Sequence, residues 1–316
     1  MPGISYYIGR FAPSPTGSLH FGSLLAALAS FLDARSNQGR WLVRMEDLDP
    51  PREIAGAADQ ILRTLEAFGL YWDGSVRYQS QHLDQYHQVM QQLLDRQQAY
   101  PCDCSRQQLA KRNAKVYDGF CRPESLAAPL DSALTHPLDQ QHPELQRPSA
   151  IRVKVPNLDL GFEDAIQGHV QQQLRTEVGD FVIRRKDGLY AYQLAVVIDD
   201  AEQQISHVVR GYDLLDSTPR QIHLQQLLRL ATPAYAHIPI LVNRLGQKLS
   251  KQTFASAINP KKPEDSIFQA LALLGQRPPE SLRAASTHEM LNWGINHWQR
   301  AKIPRQPHLA ESLLEL

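Results

Sequence analysis

Long apolar runs are missing from this chain of 316 residues. The longest near its start, Leu24 to Leu32, is far below the roughly 20 residues that a bilayer span requires, and Met1 to Tyr7 lacks the basic-then-apolar layout of a secretion signal. Both absences lead to the expectation of a cytoplasmic protein with no membrane partner. An excess of either charge is missing too. Thirty-three Lys and Arg balance thirty-three Asp and Glu, so no global positive field draws the chain to nucleic acid, and any such contact must rest on local patches. Cysteine is scarce. Cys102, Cys104 and Cys121 fall within one short window, and an odd, closely spaced set suits a metal better than disulfides. What is present is apolar content of 42%, enough core for two or more domains at this length.

Tyr6 to Phe11 reads as a strand that Pro13, Pro15 and Gly17 end in a turn. From Phe21 onward, Leu24, Leu25, Leu28, Phe31 and Leu32 recur at helical spacing. A second strand is expected at Arg40 to Glu46, where Trp41, Val43 and Met45 share a face. Asp49 and Pro50 then serve as cap and first position of a helix carrying Ile54, Ala58, Ile61, Leu65 and Phe68. Another helix runs through Leu83, Tyr86, Met90, Leu93 and Leu94. Between Arg122 and Ala150, repeated prolines punctuate a polar stretch that cannot form a long helix or a central strand. Regular signals resume at Ile151 to Val155 and Phe181 to Ile183, and Ala195 to Ile198 reads as a fully apolar strand. In "STPRQIHLQQLLRL", Thr218 stands as a cap, Pro219 at the first helical position and Gln221 three residues after the cap. Strands alternating with helices point to the α/β class, with a mainly parallel sheet split by an insertion.

Two stretches suit chemistry. "PSPTGSLHFG" feeds a turn into a helix start, whose free N–H groups favour an anion; Gly22 permits close approach and His20 adds a donor. Its spacing fits neither G-x-G-x-x-G nor the Walker loop, and by itself it reads equally as an ordinary helix start. "NRLGQKLSKQ" sets Lys248 and Lys251 around a short loop after Gly246, where two ammonium groups can steady charge on a transferring phosphoryl centre.

In this order the two stretches resemble the paired signatures of class I aminoacyl-tRNA synthetases. The blocks "GRFAPSPTGSLHFGSL", "VRMEDLDPPR", "VVIDDAEQQISHVVRGYDLLDSTPRQIHL" and "GQKLSK" together resemble the glutamyl-tRNA synthetase catalytic core. The resemblance implies a Rossmann-type core that adenylates glutamate with ATP, Mg2+ accompanying the nucleotide, and places His20, Gly22, Lys248 and Lys251 at the ATP. A dicarboxylic amino acid needs cationic forks for its carboxylates and a carboxylate for its ammonium. The resemblance gives these roles to Arg10, Arg210 and Glu46, with Tyr192 beside the arginines and Ala12 and Ser14 on the adjoining loop. Without it, Arg10 and Glu46 read as an ion pair between neighbouring strands. Asp199 and Asp200, after their expected strand, suit a metal or a turn. Two positions depart from the family pattern. Gln252 follows the lysine signature where a small or basic residue is usual, and "RGYDLL" has fewer acidic residues after Arg210, Asp213 keeping one.

"CDCSRQQLAKRNAKVYDGFC" supplies three thiolates, one short of the four donors of a closed structural zinc site. Spacing leaves His82, His87, Asp103, Asp118 and Tyr117 as options, with histidine first; the resemblance to short glutamyl-synthetase-like proteins implies Tyr117. One structural zinc bracing an RNA-contacting insertion is the expectation, and three reduced thiols without metal the alternative. After Lys251 comes only Gln252 to Leu316, where full glutamyl-tRNA synthetases carry a large anticodon-reading region, so no anticodon-binding domain is expected. A body of this size has a radius of gyration of about 20 Å, too small to grip both ends of a tRNA.

Short members of the family attach glutamate to queuosine in the anticodon loop of tRNA(Asp), whose cyclopentene diol resembles a ribose diol. The resemblance therefore implies L-glutamate, ATP and the tRNA(Asp) anticodon stem-loop as partners of a monomer, with Lys111, Arg112, Lys115, Arg184, Arg185 and Lys186 as candidates for phosphate contact. The expected layout is a first half of the catalytic domain (1–101), a zinc-bearing insertion (102–193), a second catalytic half (194–250) and the lysine loop with a short helical C-terminal region (251–316). Two other readings stand beside it: a truncated synthetase charging tRNA(Glu) or tRNA(Gln), and a non-catalytic zinc-containing RNA-binding module on a synthetase core.

Overall fold

Strand β1 (Ile8–Phe11) runs through the Pro13 and Pro15 turn into helix α1 (Phe21–Ser36), followed by β2 (Arg40–Met45), α2 (Ala57–Ala67), β3 (Arg77–Tyr78) and α3 (Leu83–Asp95). The computed structural model describes residues 6–112, 116–123, 149–249 and 257–314; residues 124–148 of the proline-rich stretch, Lys115, Lys251 and Gln252 lie outside them. Next come β4 (Ala99–Cys102), α4 (Arg106–Lys111), β5 (Ala150–Val153), β6 (Asp159–Asp164), β7 (Gly168–Gln173) and β8 (Phe181–Arg184). Then α5 (Tyr192–Glu202), β9 (His207–Gly211), α6 (Thr218–Leu228), β10 (Ala234–Ile238) and β11 (Ile240–Val242) follow. Helices α7 (Pro263–Leu273) and α8 (Thr287–His297) and strand β12 (His308–Ala310) end the fold.

Strands β1, β2 and β3 pair in parallel, as do β9 and β10. The two groups adjoin where β1 lies beside β9, and the Ser206 N–H donates to the Ile8 carbonyl at 3.0 Å. Strand β6 adds to β10 in parallel and turns back into antiparallel β7, while β4, β5 and β8 form a separate antiparallel sheet. Each face of the parallel strands carries its own core. On one side Trp41, Val43 and Met45 meet Leu24 and Leu28 of α1, Ile61 of α2, Leu271 of α7 and Met290 of α8. On the other, Ile8 and Leu42 meet Tyr86 of α3, Val196 and Val197 of α5 and Ile222 of α6. This is the two-sided α/β arrangement that strand–helix alternation dictates.

Three local expectations fail. Ala195 to Ile198 belong to helix α5 and not to a strand. An apolar run buried on all sides lacks the one-sided pattern that separates helix from strand, and packing overrides the β-branched residues. Helix α2 starts after Gly56, at φ +77°, and Asp49 and Pro50 head only a turn of 3-10 helix, Pro50–Arg52. Ile54 is consequently 56% exposed. Thr218 is the first residue of α6 and does not cap it; Ser217 stands at the cap position without a side-chain capping bond, its hydroxyl accepting from Gln193 at 3.0 Å. The Thr218 hydroxyl is committed elsewhere, accepting from Arg210 at 2.9 Å.

The C-terminal region is tied to α1 through Asp33, 1% exposed. Its carboxylate accepts from the Tyr7 hydroxyl, from Trp298 Nε1 at 2.8 Å and from Arg300 Nε at 3.0 Å. Asp33→Ala leaves these donors without their acceptor and is expected to cost roughly 3 kcal/mol. Urea unfolding measures it; a loss below roughly 1 kcal/mol would show that the C-terminal helices dock without this carboxylate.

Candidate active site

Strand alternation puts Arg10 on the same face as Ile8 and Arg44 on the same face as Leu42, both toward α5. Arg10 is 3% exposed and Arg44 fully buried. Such charges require partners, and two successive aspartates of α5 supply them. Asp200 accepts from Arg44 at 2.7 Å and from Arg10 Nε at 3.2 Å, while Asp199 takes Arg77 Nε at 2.8 Å, Gln79 at 2.7 Å and the Tyr86 hydroxyl. Burial favours the neutral acid, yet Arg10 and Arg44 hold Asp200 below the usual carboxylate range. The two aspartates are thus ion-pair anchors on a helix and neither turn residues nor metal ligands. Arg10 pairs with Asp200 and not with Glu46, whose Oε1 lies 3.4 Å from Arg44. Burial outweighs the arginines at Glu46 and pushes its carboxyl up.

A cavity of about 640 Å³ opens at the carboxyl ends of β1, β9 and β10. Arg10, Ala12, Ser14, Glu46, Tyr192 and Arg210 all line it. His20, Gly22 and Lys248 line it as well; Lys251 lies outside the described residues. Arg210, 4% exposed, donates from Nε to His237 Nε2 at 2.9 Å, from Nη1 to the Tyr192 hydroxyl at 3.1 Å, and from Nη2 to Thr218 Oγ1 and the Leu214 carbonyl. A guanidinium has five N–H groups, so among the described residues Arg210 keeps a single Nη1 hydrogen for a ligand. Arg10 spends its Nε hydrogen and one Nη2 hydrogen on Asp200 and, among the described residues, retains three: both on Nη1 and one on Nη2. Arg10 therefore has the capacity for a two-bond grip on a carboxylate, and Arg210 offers one fixed donor beside a phenol. Burial pushes the Tyr192 hydroxyl up, keeping it neutral.

His20, Gly22 and Ser23 bring the N-terminus of α1 to the same cavity. His20 is its cap, with Nδ1 accepting from the Ser23 N–H at 3.2 Å. A Cβ on Gly22 would sit 3.2 Å from the His20 ring and 3.6 Å from the Leu249 carbonyl. The histidine contact would be tight and the Leu249 contact ordinary, which makes the helix start and the segment of Lys248 close neighbours. That segment is pinned by a bridge between Val242 and Lys248, and Ala257 pairs with His20. Lys248 Nζ meets Asp213 at 2.5 Å, so the single acidic residue kept after Arg210 holds the first lysine of the signature. Helix N–H groups and an ammonium across one cavity make an anion site.

The cysteine window folds into a second centre. The Sγ atoms of Cys102, Cys104 and Cys121 lie within 4.8 Å of one another. The Tyr117 hydroxyl is 3.4 Å from Cys102 Sγ and 3.9 Å from Cys104 Sγ, and it accepts from the Cys121 N–H at 2.9 Å. Tetrahedral zinc with Zn–S of about 2.3 Å places its sulfurs about 3.8 Å apart, so three thiols and a phenol fit that ion. Three of the other options are engaged elsewhere: His87 with Tyr190, Asp103 with Ser149, and Asp118 with Arg112. Among the described residues no histidine or carboxylate joins the thiols. Of the basic candidates, Arg112 donates to Cys104 Sγ at 3.6 Å, Lys186 to the Asp103 carbonyl at 2.5 Å, and Arg185 pairs with Asp187 at 2.5 Å.

Sequence reasoning missed Arg44, Asp164 and His237. The signal for Arg44 was a charge inside an apolar strand; for His237 it was a lone histidine in "AYAHIPI", a pattern that composition cannot tell from an ordinary core residue. Inside the protein, His237 Nδ1 lies 2.6 Å from Asp164 Oδ2. Burial lowers the pKa of His237 to about 4, Asp164 opposing and Arg210 and Arg10 assisting. Between pH 6.5 and 4 the unfolded chain therefore binds a proton here that the folded chain refuses, so stability falls as pH falls through that window. Unfolding measured at pH 7 and pH 5 should show about 2 kcal/mol of acid destabilisation that His237→Gln removes; an unchanged difference in the variant would assign the acid sensitivity elsewhere.

Comparison with known proteins adds the following. The model of the family described as tRNA synthetases class I (E and Q), catalytic domain, matches residues 8–301. A glutamyl-Q tRNA(Asp) synthetase of Pseudomonas aeruginosa is 51% identical over 310 residues, covering 98% of this chain and 99% of its own length. One from Neisseria meningitidis serogroup C is 51% identical over 305 residues, covering 95% and 98%. Among solved structures, a glutamate tRNA ligase from Elizabethkingia meningosepticum, in complex with its amino acid, superposes with a TM-score of 0.77 at 26% identity, over 96% of this chain and 67% of that one.

Proposed function

This chain belongs to the class I tRNA synthetases of the glutamate and glutamine type, matching their catalytic domain, and from that premise we propose that it activates L-glutamate with ATP and transfers the glutamyl group to queuosine of tRNA(Asp). The names of the relatives at 51% identity support the acceptor. The observation that carries the reading is one cavity lined by two buried arginines, Glu46, the α1 N-terminus and Lys248. In the first step an α-carboxylate oxygen attacks the α-phosphorus of ATP and pyrophosphate leaves. In the second, a hydroxyl of the queuosine diol attacks the acyl carbon, AMP leaves and the hydroxyl proton is released. Arg10 and Arg210 with Tyr192 bind substrate carboxylate, Glu46 the ammonium, Ala12 and Ser14 flank the amino acid, and His20, Gly22, Lys248 and Lys251 hold the Mg2+-bound nucleotide. No side chain need act as nucleophile; position and preorganised charge lower the barrier.

Residues 1–101 and 194–250 are read as the two catalytic halves, 102–193 as the insertion and 251–316 as the lysine loop with its helical end, in a cytoplasmic monomer. Zinc on Cys102, Cys104, Cys121 and Tyr117 would brace the insertion against RNA and supply no chemistry.

Radiolabelled glutamate and ATP, mixed with tRNA from cells with and without queuosine, should label only the queuosine-containing pool; equal labelling would overturn the acceptor. Lys251→Ala should lower glutamate-dependent pyrophosphate exchange by roughly 100-fold, and wild-type exchange would remove Lys251 from the site. Elemental analysis should find one zinc per chain, and Cys104→Ser should lose the metal and RNA transfer while keeping pyrophosphate exchange. Loss of both activities together would make the cluster part of the catalytic fold.

A further inference from the structure

The hydrogen bonds behind Arg210 can be ordered by valence alone. Asp164, 3% exposed at the end of β6, receives three backbone donors on Oδ1: Ile166 at 3.0 Å, Gln167 at 2.8 Å and His237 at 3.2 Å. Its Oδ2 meets His237 Nδ1 at 2.6 Å. A carboxylate surrounded by donors acts as acceptor, so Nδ1 carries the proton. In a neutral ring Nε2 then has only a lone pair to offer. Arg210 Nε, which can only donate, meets that lone pair at 2.9 Å. The opposite tautomer would set N–H against N–H there and leave Nδ1 without a proton for the aspartate.

We propose that Asp164 and His237 are positioning residues of the amino-acid pocket, the aspartate fixing the histidine tautomer and the histidine fixing the one Arg210 N–H left for a substrate carboxylate. This rests on the reading of Arg210 as a carboxylate binder given above. The relay begins in a well-held place. Gln167, in the turn after Asp164, donates to the His237 carbonyl at 2.7 Å, and Arg305 of the C-terminal region donates to the Gln167 carbonyl at 2.8 Å. Gly168, at φ +83°, packs so closely on the Arg305 guanidinium that a Cβ would lie 2.3 Å from it. The β6–β7 turn is thereby clamped from both sides, and the pocket arginine takes its orientation from a strand that does not line the pocket.

Two substitutions separate positioning from mere packing. His237→Asn keeps an amide donor where Nδ1 stands and offers nothing at Nε2; His237→Gln places an amide group near Nε2. In glutamate-dependent pyrophosphate exchange, the Asn variant should raise the KM for glutamate roughly tenfold or more, with the KM for ATP unchanged, and the Gln variant should restore most of the loss. Asp164→Asn, whose amide can donate to Nδ1, should behave like His237→Asn. Nitrogen-15 NMR of histidine in the intact chain gives a readout independent of activity: an Nδ1–H tautomer for His237 in the wild type, switched to Nε2–H in Asp164→Asn. Equal KM values for the Asn and Gln variants, or parallel rises for glutamate and ATP, would overturn the positioning role. An unswitched tautomer would overturn the relay itself. If the tautomer switches but the wild type shows no glutamate-dependent exchange, the reading of the pocket fails and the relay stands.

Discussion

A buried carboxylate shared by two arginines is the constraint on which this fold and its cavity both turn. Arg10 and Arg44 occupy one face of neighbouring parallel strands, and without Asp200 between them the core on that side could not close over two positive charges. Removing one member of such a set costs about 3–5 kcal/mol, because the remaining charge stays buried and unpaired. The same contact positions the site. Asp200 fastens α5 to the sheet, and Tyr192, eight residues earlier on that helix and so about 12 Å along it, is held against Arg210. Structure and recognition are therefore written into one helix.

The two pocket arginines are held differently, and the difference has a chemical meaning. Among the described residues Arg10 spends two N–H groups on its anchor and retains three, whereas Arg210 spends four and keeps one. A pre-oriented guanidinium in a site screened from water acts more strongly on a carboxylate than a mobile one at the surface, since its reorganisation has already been met by folding. The arginines sit where β1 and β9 adjoin, the crevice at which open parallel sheets place their ligands. In the same cavity, the α1 N-terminus and Lys248 supply positive potential of another origin, from backbone dipoles and a single ammonium.

The metal-type cluster and the cavity are mechanically continuous. Cys102 ends β4, which pairs with β5; β5 pairs with β8, and after β8 the Ala191 N–H returns to the Ile183 carbonyl at 2.9 Å immediately before α5 begins. Asp180, buried just before β8, gathers the Tyr100 hydroxyl at 2.6 Å, Arg122 at 3.0 Å, Arg175 at 3.2 Å and the Val155 N–H at 2.8 Å. Arg122 directly follows Cys121, so the thiol loop is fastened to the sheet through a carboxylate.

Legible in the sequence alone were the α/β class, β1 with α1, β2, α3, the thiol window and, through its resemblance, nine of the residues that line the cavity. These were legible because each rests on local order: alternation, helical spacing, a turn at two prolines, or a motif read in sequence. Only the tertiary structure decided that Ala195 to Ile198 are helical, that Arg10 pairs with Asp200 and not with Glu46, that Thr218 serves Arg210 instead of capping α6, and that Asp164 and His237 stand behind the pocket. Each of those outcomes depends on which element covers a buried face. A strand's pattern says that Arg10 and Arg44 point the same way, but not which distant carboxylate meets them; that partner is fixed by packing across 190 and 156 positions of chain, and nothing near either arginine in the sequence names it.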